Sequence, residues 1–231
     1  METEEMLEYF QASTDTYRFL SQAIFKELNE EAIKDLAAAE WPRETGNEHL
    51  DLGYAYIRRY FKFSNNDRRS QLACEYARVF LAAGIYGAKN WVAVPYESVF
   101  TSEEHAMMGE SRADLLTVFA RDGFKVDPGL HEPEDHLSFE LEYLSHMNAA
   151  AAELLAQERI GELRINVKRQ ATFINKHLLN WVPALLEKSK EYAKTSFYLG
   201  LLNVMIGSLE QSREMLKAIW EQTDPTVKRA A

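Results

Sequence analysis

The chain has 231 residues, of which 46% are hydrophobic and 27% are charged, ordinary values for a globular protein with a substantial core. Its net charge is −10, from 36 acidic and 26 basic residues. A negative average field repels phosphate backbones and anionic membrane surfaces, which argues against a nucleic-acid-binding role. The same field would attract a cationic partner.

Cys74 is the single cysteine, so neither an intramolecular disulfide nor the usual cysteine-based zinc site is possible. We expect it to be a small core residue in a reducing compartment. The first residues, METEEMLEYF, lack the pattern of a secretory signal, and no run approaches the roughly 20 apolar residues of a membrane span. The expected location is therefore the cytoplasm.

Apolar residues recur three or four positions apart almost throughout the chain, which predicts an all-α fold of about 8 to 10 helices. The first helix carries its apolar stripe from Leu7 to Leu28, and Thr3 can cap its start. The next three are predicted after Asn29 as far as Trp41-Pro42, from about His49 to Phe61, and from the capping cluster Ser64–Asp67 to Gly84 and Gly87.

Residues Gly84–Phe100 lack helical periodicity and are interpreted as a loop packed on the body. The capping-box spacing from Thr101 to Glu104 then predicts a helix to about Arg121. Three more helices are predicted, over about Pro133–Gln157, Glu162–Glu187 with a kink or restart at Pro183, and Lys190–Gln222.

The chain contains no internal repeat and no flexible linker, so residues 1–231 are predicted to form one all-helical domain. If its helices divide into two lobes, the lobes would be residues 1–121 and 131–231. The turn-rich connector Asp122–Leu130 would then be the hinge between them.

The stretch DPGLHEPEDHLSFELEYL, residues 127–144, concentrates six acidic side chains and two histidines. Pro133 suits the first position of a helix, and Glu134 and Asp135 would then lie in its first turn, near the positive end of the helix dipole. These acids therefore have a structural explanation as well as a chemical one.

Helical geometry divides the other polar residues of this stretch between two faces. Asp135 and Glu142 are predicted on the solvated side. His136 and Glu140 are predicted to border the apolar stripe, near Phe139 and Tyr143, which makes them the chemically interesting pair.

The stretch is a poor candidate for a metal site, because His131 and His136 are five residues apart with Pro133 between them and cannot share a helical face. Acid/base catalysis by His136 and Glu140 would need further partners. The sequence also lacks phosphate-binding loops and a nucleophile elbow. No metal and no cofactor is predicted, although a metal- or nucleotide-dependent helical enzyme using His131, His136 and Glu140 stays open, as does a general helical adaptor.

Four segments in order resemble the TorD/DmsD family of redox-enzyme maturation chaperones. EPEDHLSFELEYL resembles the family's E-P-x-D-H motif and the helix after it, and CEYARVFLAAG and PYESVF resemble its Y-A-R-L-F and Y-E-S-V-Y segments. HLLNWVPALLEKSKEYAKTSFYLGLL resembles its W-V-P helix. The agreement runs from about Glu75 to Leu202.

The resemblance implies a cytoplasmic, non-enzymatic, all-helical chaperone. Its partner would be the apo form of a molybdopterin oxidoreductase and that enzyme's twin-arginine leader, with export delayed until the cofactor is inserted. A monomer or a homodimer with exchanged lobes is expected. The family's client-recognition region corresponds here to Glu132, Pro133, Asp135 and His136, with Tyr96, Glu97 and Ser98 as weaker candidates in the facing loop.

A receptor for such a leader needs carboxylates for the arginines beside an apolar surface for the leader's hydrophobic region. We expect Asp135 or Glu140, with Glu132 nearby, to contact arginine. Phe139 and Tyr143 would then form the apolar wall, with His136 orienting a carboxylate or the peptide backbone.

Overall fold

The computed structural model describes residues 2–64, 67–84, 92 and 94–225, and within these ranges it contains ten α-helices and no strand. The all-α prediction is therefore confirmed. The helices are α1 (Thr3–Phe25), α2 (Glu30–Ala38), α3 (Glu48–Phe63), α4 (Arg68–Phe80), α5 (Glu97–Thr101), α6 (Glu110–Asp122), α7 (Leu137–Ala156), α8 (Ile160–Phe173), α9 (Val182–Ser189) and α10 (Phe197–Gln222). A 3₁₀ turn spans Pro128–Leu130 and a π-helical turn spans Ile174–Leu178. No described helix is both long and apolar enough to cross a membrane.

Several helices begin where a capping side chain accepts a hydrogen bond from a free backbone N–H. Asn29 accepts from the N–H of Ala32 at 2.8 Å, which starts α2. Asp67 does the same for α4. Pro183 lies in the first turn of α9, so the predicted restart of the helix there is confirmed.

Other boundaries predicted from sequence are wrong. Thr101 does not open a helix but ends α5, where its hydroxyl donates back to the carbonyl of Glu97 at 2.9 Å. The following helix, α6, begins only at Glu110. Likewise α10 begins at Phe197 and not at Lys190. Residues 97–101 of the predicted loop are helical, and residues 85–91 and 93 of that loop lie outside the described ones.

Cys74 is exposed on α4, so the prediction of a core cysteine is also wrong. Its neighbour Glu75 is buried instead, because its carboxylate accepts from the backbone N–H groups of Lys194 and Thr195 at 2.7 and 2.6 Å. Because these two bonds satisfy the carboxylate, a polar side chain can occupy an inward-facing position of α4.

One hydrophobic cluster draws on helices from both ends of the chain. Helix α1 packs along α7, α3 packs along α10, and α8 contacts both α7 and α10. Residues 1–121 and 131–231, the two predicted lobes, thus share this core. Whether the lobes ever exchange between copies of the chain stays a prediction.

The connector predicted as a hinge is anchored at its first residue. The buried Asp122 carboxylate accepts hydrogen bonds from the Tyr143 hydroxyl at 2.7 Å and from Arg169 at 2.6 Å, and it also pairs with Arg121. Burial by itself would raise the pKa of Asp122, but these hydrogen bonds and charges outweigh it and hold the pKa below its ordinary value. Gly123 follows in the left-handed region, with φ of 72°, and ends α6.

Glycines let α3 and α10 approach backbone to backbone. A Cβ atom added to Gly53 would lie 2.7 Å from the backbone nitrogen of Val204 and 2.8 Å from the carbonyl oxygen of Gly200. Both neighbours are backbone atoms, which cannot move aside as the end of a side chain can. The close contact between these helices therefore requires glycine at position 53.

We expect Gly53→Ala to lower the free energy of unfolding by about 1–3 kcal/mol, because overpacking forces the helices apart. Gly161→Ala is the matched control, since nothing lies within 4 Å of its Cβ position. That change should stabilise α8 by up to about 1 kcal/mol through helix propensity. Urea unfolding followed by circular dichroism measures both, and equal effects would contradict the packing argument.

Candidate functional site

Residues 94–101, here called the bridge segment, lie against the start of α7. Tyr96 and His136 form an isolated antiparallel β-bridge. Two backbone hydrogen bonds make it: the N–H of Glu97 donates to the carbonyl of Asp135 at 3.0 Å, and the N–H of Leu137 donates to the carbonyl of Pro95 at 2.9 Å. The structure thus brings together the two sequence segments predicted to face each other.

This pairing moves the start of α7. The helix begins at Leu137 with His136 as its N-cap, so the prediction that Pro133 occupies the first helical position is wrong. The bridge holds His136 extended, and an extended backbone cannot belong to a helical turn. Asp135 lies just before it in a turn that the His136 N–H closes by donating to the Pro133 carbonyl at 3.1 Å. Glu134 is consequently outside the first turn and pairs with Arg112 at 2.6 Å instead.

Asp135 is fully buried, with no exposed surface. Its carboxylate accepts a hydrogen bond from the backbone N–H of Ser98 at 3.1 Å and a second from the Ser98 hydroxyl. The prediction that Asp135 faces solvent is therefore wrong, because it extrapolated helical geometry to a residue outside the helix. The prediction that Glu142 is exposed is confirmed.

Glu97 is a second buried carboxylate, and it points from α5 towards the π-helical turn. One of its oxygens lies 3.0 Å from Nδ1 of His177, and the other accepts from the Asn180 amide at 3.3 Å. Neither His177 nor Asn180 was recognised from the sequence. The segment NKHLLNW offered only a histidine and an asparagine three residues apart, and nothing local connects them to position 97.

Glu140 is the third buried carboxylate, and neither of its oxygens has a hydrogen-bond partner. Burial, and next the negative charges of Glu97 and Asp135, raise the pKa of Glu140 well above its ordinary value. The indole N–H of Trp181 is near enough to oppose that shift weakly, but its hydrogen bond goes to the carbonyl of His177 at 2.7 Å. We call Glu97, Asp135 and Glu140 the acid cluster.

The acid cluster has a deficit of positive charge. Within the described part of the chain, no lysine or arginine forms an ion pair with any of its three carboxylates, and His177 beside Glu97 is the one potentially cationic partner. Buried carboxylates normally carry a cation or several hydrogen bonds, since an unpaired buried charge is costly. Glu140 has neither.

His136 closes the outer side of this arrangement. Its ring lies against Tyr96, Phe25 and Phe139, with ring centroids 5.0 to 6.0 Å away. Burial lowers the pKa of His136 to about 4. The ring is therefore neutral at physiological pH, and its Nδ1 accepts the N–H of Ser138 at 3.2 Å as the helix cap.

Beyond His136, the surface is acidic and apolar. Glu132 is exposed and accepts a hydrogen bond from the Tyr96 hydroxyl at 2.5 Å. Burial, with help from Glu132, raises the pKa of Tyr96, so that hydroxyl stays protonated as the donor. Exposed apolar side chains lie on the neighbouring segments, at Leu130, Met107 and Met108. Gly109, next to these methionines, packs against Ser98 of the bridge segment.

The predicted apolar wall lies deeper than expected. Phe139 and Tyr143 are buried in the core, and Pro133 is buried as well. Tyr143 donates its hydroxyl to Asp122 and so has a structural partner already. The predicted site residues thus form two layers, with Glu132 at the surface and Tyr96, Glu97, Ser98, Pro133, Asp135, His136, Phe139, Glu140 and Tyr143 behind it.

Among the described residues, no group of three or more histidine, cysteine or acidic side chains is arranged to hold a metal ion. His131, which the metal hypothesis required, is exposed and ends the 3₁₀ turn with φ of 56°. His136 is turned into the aromatic pocket instead. The two histidines therefore do not converge with Glu140 on a common ion.

The fold and the site define an all-helical protein with a closed acid cluster beneath a short, bridged segment. Comparison with known proteins identifies its family. The model of the nitrate reductase delta subunit family matches residues 47–187. This match covers more than half of the chain, from α3 to α9, and the chain therefore belongs to this family of TorD-like chaperones.

Characterised relatives agree with that assignment. Chaperone protein TorD of Vibrio cholerae serotype O1 is 26% identical over 218 residues, which cover 90% of this chain and 94% of the relative. The TorD chaperones of Vibrio parahaemolyticus and Photobacterium profundum are 30% and 25% identical over 141 and 143 residues, which cover 61% and 62% of this chain and 62% of each relative. The chain is accordingly a chaperone and not an enzyme.

Glu140 should give the fold a characteristic pH dependence. The ordinary pKa of this carboxyl is 4.5, and the pKa is raised in the folded state. At a pH between these two values the carboxyl is ionised in the unfolded chain and protonated in the folded one, so folding takes up a proton. Glu140 therefore stabilises the fold fully below pH 4.5, and this contribution is lost as the pH rises to the folded-state pKa.

We expect the melting temperature of the wild type to fall relative to that of Glu140→Gln as the pH is raised from 4.5 to 8. Each kcal/mol should appear as about 2–4 °C for a chain of this size. Glu142→Gln, an exposed change on the same helix, is the control and should run parallel to the wild type. Parallel curves for all three proteins would show that Glu140 carries no shifted pKa.

Proposed function

We propose that this protein is a cytoplasmic maturation chaperone for a molybdopterin oxidoreductase. In this proposal it binds the twin-arginine leader and the apo form of that enzyme, which delays export until the cofactor has been inserted. Membership of the TorD-like family supports the proposal, together with the four segments between Glu75 and Leu202 that resemble the family's motifs in the same order. The net charge of −10 favours a cationic peptide as partner.

The observation that carries the choice of site is the unpartnered carboxylate of Glu140. A guanidinium group has five N–H donors in a planar fork and forms paired hydrogen bonds with a carboxylate. An arginine of the leader placed among Glu140, Asp135 and Glu97 would supply the missing positive charge and the missing donors. We propose that one leader arginine binds there.

Access to Glu140 requires the bridge segment to lift away from α7. Two backbone hydrogen bonds and the contacts of Ser98 with Asp135 hold it. Each of these hydrogen bonds stabilises the closed state by about 0.5–1.5 kcal/mol net, or by about 1.5–3 kcal/mol where the acceptor is charged. Charge-assisted bonds from an incoming arginine are of the same size, so opening and binding can exchange one set of bonds for the other.

The surface layer would hold the rest of the leader. In this proposal the exposed Glu132 contacts the second arginine. Leu130, Met107 and Met108 offer an apolar surface for the hydrophobic region, and flexible methionine side chains adapt to different peptides. In this arrangement Pro133, Phe139 and Tyr143 support the site from the core, and His136 keeps the start of α7 in place.

Isothermal titration with twin-arginine leader peptides tests the proposal. We expect the wild type to bind, and Glu140→Gln to bind about tenfold to a hundredfold more weakly, the equivalent of one charge-assisted hydrogen bond. Glu142→Gln should bind as tightly as the wild type does. Replacing both leader arginines by lysine should also weaken binding, because lysine cannot form the planar paired contact.

Two failures have different meanings. If neither the leaders nor full-length molybdoenzyme precursors release or absorb heat with the wild type, the proposed function is wrong. If leaders bind but Glu140→Gln and Glu142→Gln behave alike, the function stands and the arginine site lies elsewhere.

A further inference from the structure

A groove between α8 and α10 differs in charge from the rest of this acidic protein. Its volume is about 470 Å³, and we call it the α8–α10 groove. It is lined by Val167, Lys168 and Ala171 of α8 and by Arg213, Glu214, Leu216, Lys217 and Trp220 of α10. No residue of the acid cluster or of the bridge segment lines it.

The floor of the groove is apolar. Val167 and Leu216 are core residues that present their outer edge to it, and Trp220 lies at one end with 37% of its surface exposed. The guanidinium of Arg164 stacks on the Trp220 ring at 3.8 Å from its centroid and also donates to the Trp220 carbonyl at 2.6 Å. An exposed indole fixed in this way loses little conformational entropy when a partner covers it.

The margin of the groove is positive. Three cations, Lys168, Arg213 and Lys217, and one carboxylate, Glu214, line it, so the net charge of the lining is 3 − 1 = +2. Glu214 pairs with Arg213 at 3.5 Å. Lys168 and Lys217 are exposed, and neither forms an ion pair with any residue in the described ranges. Their charges are available to a partner.

The positive region continues past Lys168. A second depression shares this residue and is also lined by Arg121, Arg169 and Lys176. Arg169 and Lys176 are offset there by Asp122 and Asp114, each at 2.6 Å. Arg121 shares the Asp122 carboxylate with Arg169, so each of these three cations has an acidic partner, whereas Lys168 and Lys217 have no ion pair in the described part of the chain.

We propose that the α8–α10 groove docks an amphipathic helix of a partner protein that carries acidic residues beside a large apolar side chain. The apolar side chain would cover Trp220, and the carboxylates would pair with Lys168 and Lys217. The lining residues span one turn of α8 and two turns of α10, so a helix of about two to three turns, roughly 11–16 Å, fills the groove. A basic leader would be repelled from this surface, and the inference does not depend on the leader site.

Two labelled 18-residue amphipathic peptides serve as probes, one with leucine on one face and glutamate on the other, and one with lysine in place of each glutamate. Fluorescence anisotropy measures their binding to the full chain. We expect the glutamate peptide to bind more tightly than the lysine peptide and to weaken at high salt. The double variant Lys168→Glu and Lys217→Glu should weaken its binding about tenfold or more, through loss and reversal of two contacts.

Lys34→Glu with Arg43→Glu is the control, since both residues are exposed, lie outside the groove and change the net charge equally. This pair should leave the affinity within about twofold of the wild type, because distant exposed charges are screened. Equal weakening by both pairs, or equal binding of both peptides to the wild type, would overturn the proposal. The affinity for the leader peptide should not differ between the two double variants. If only the groove variant bound the leader more weakly, the groove and the leader site would not be independent.

Discussion

Two backbone hydrogen bonds between the bridge segment and the start of α7 determine the arrangement of the whole site. They hold His136 extended as the N-cap, and α7 therefore begins at Leu137. The same contact turns Asp135 inward onto Ser98 and brings the Glu97 charge close enough to act on Glu140. Without the bridge, the acidic residues before α7 would be free to continue the helix, and the acid cluster would not be covered.

Burying three carboxylates with no lysine or arginine partner among the described residues is costly for a protein whose stability is the small difference of large terms. The chain lowers this cost unequally. Asp135 and Glu97 receive hydrogen bonds, whereas Glu140 has none and its pKa is raised by burial. A site that is poorly satisfied when closed favours a ligand that supplies donors and positive charge, which is the physical basis for assigning an arginine to it.

The segments that carry the family resemblance connect distant elements of the fold. In CEYARVF, Glu75 binds the backbone before α10, and the Tyr76 hydroxyl donates to the carbonyl groups at the end of α1. In PYESVF, Tyr96 forms the bridge, and in NWVPALL the Trp181 indole fixes the π-helical turn below the acid cluster. Much of the resemblance therefore concerns buried residues that hold the site in place, and exposed residues such as Glu132 are a smaller part of it.

The sequence by itself determined the all-α fold, the family, the helix that follows Asn29 and the helix restart at Pro183, because apolar periodicity and proline geometry act over a few residues. It also indicated that Glu140 lies at the core. Only the tertiary structure decided that Asp135 is buried, that α7 begins late and that His177 belongs to the site. These features depend on contacts between residues far apart in the chain, such as Ser98 with Asp135, 37 positions away, and such pairings leave no trace in local periodicity.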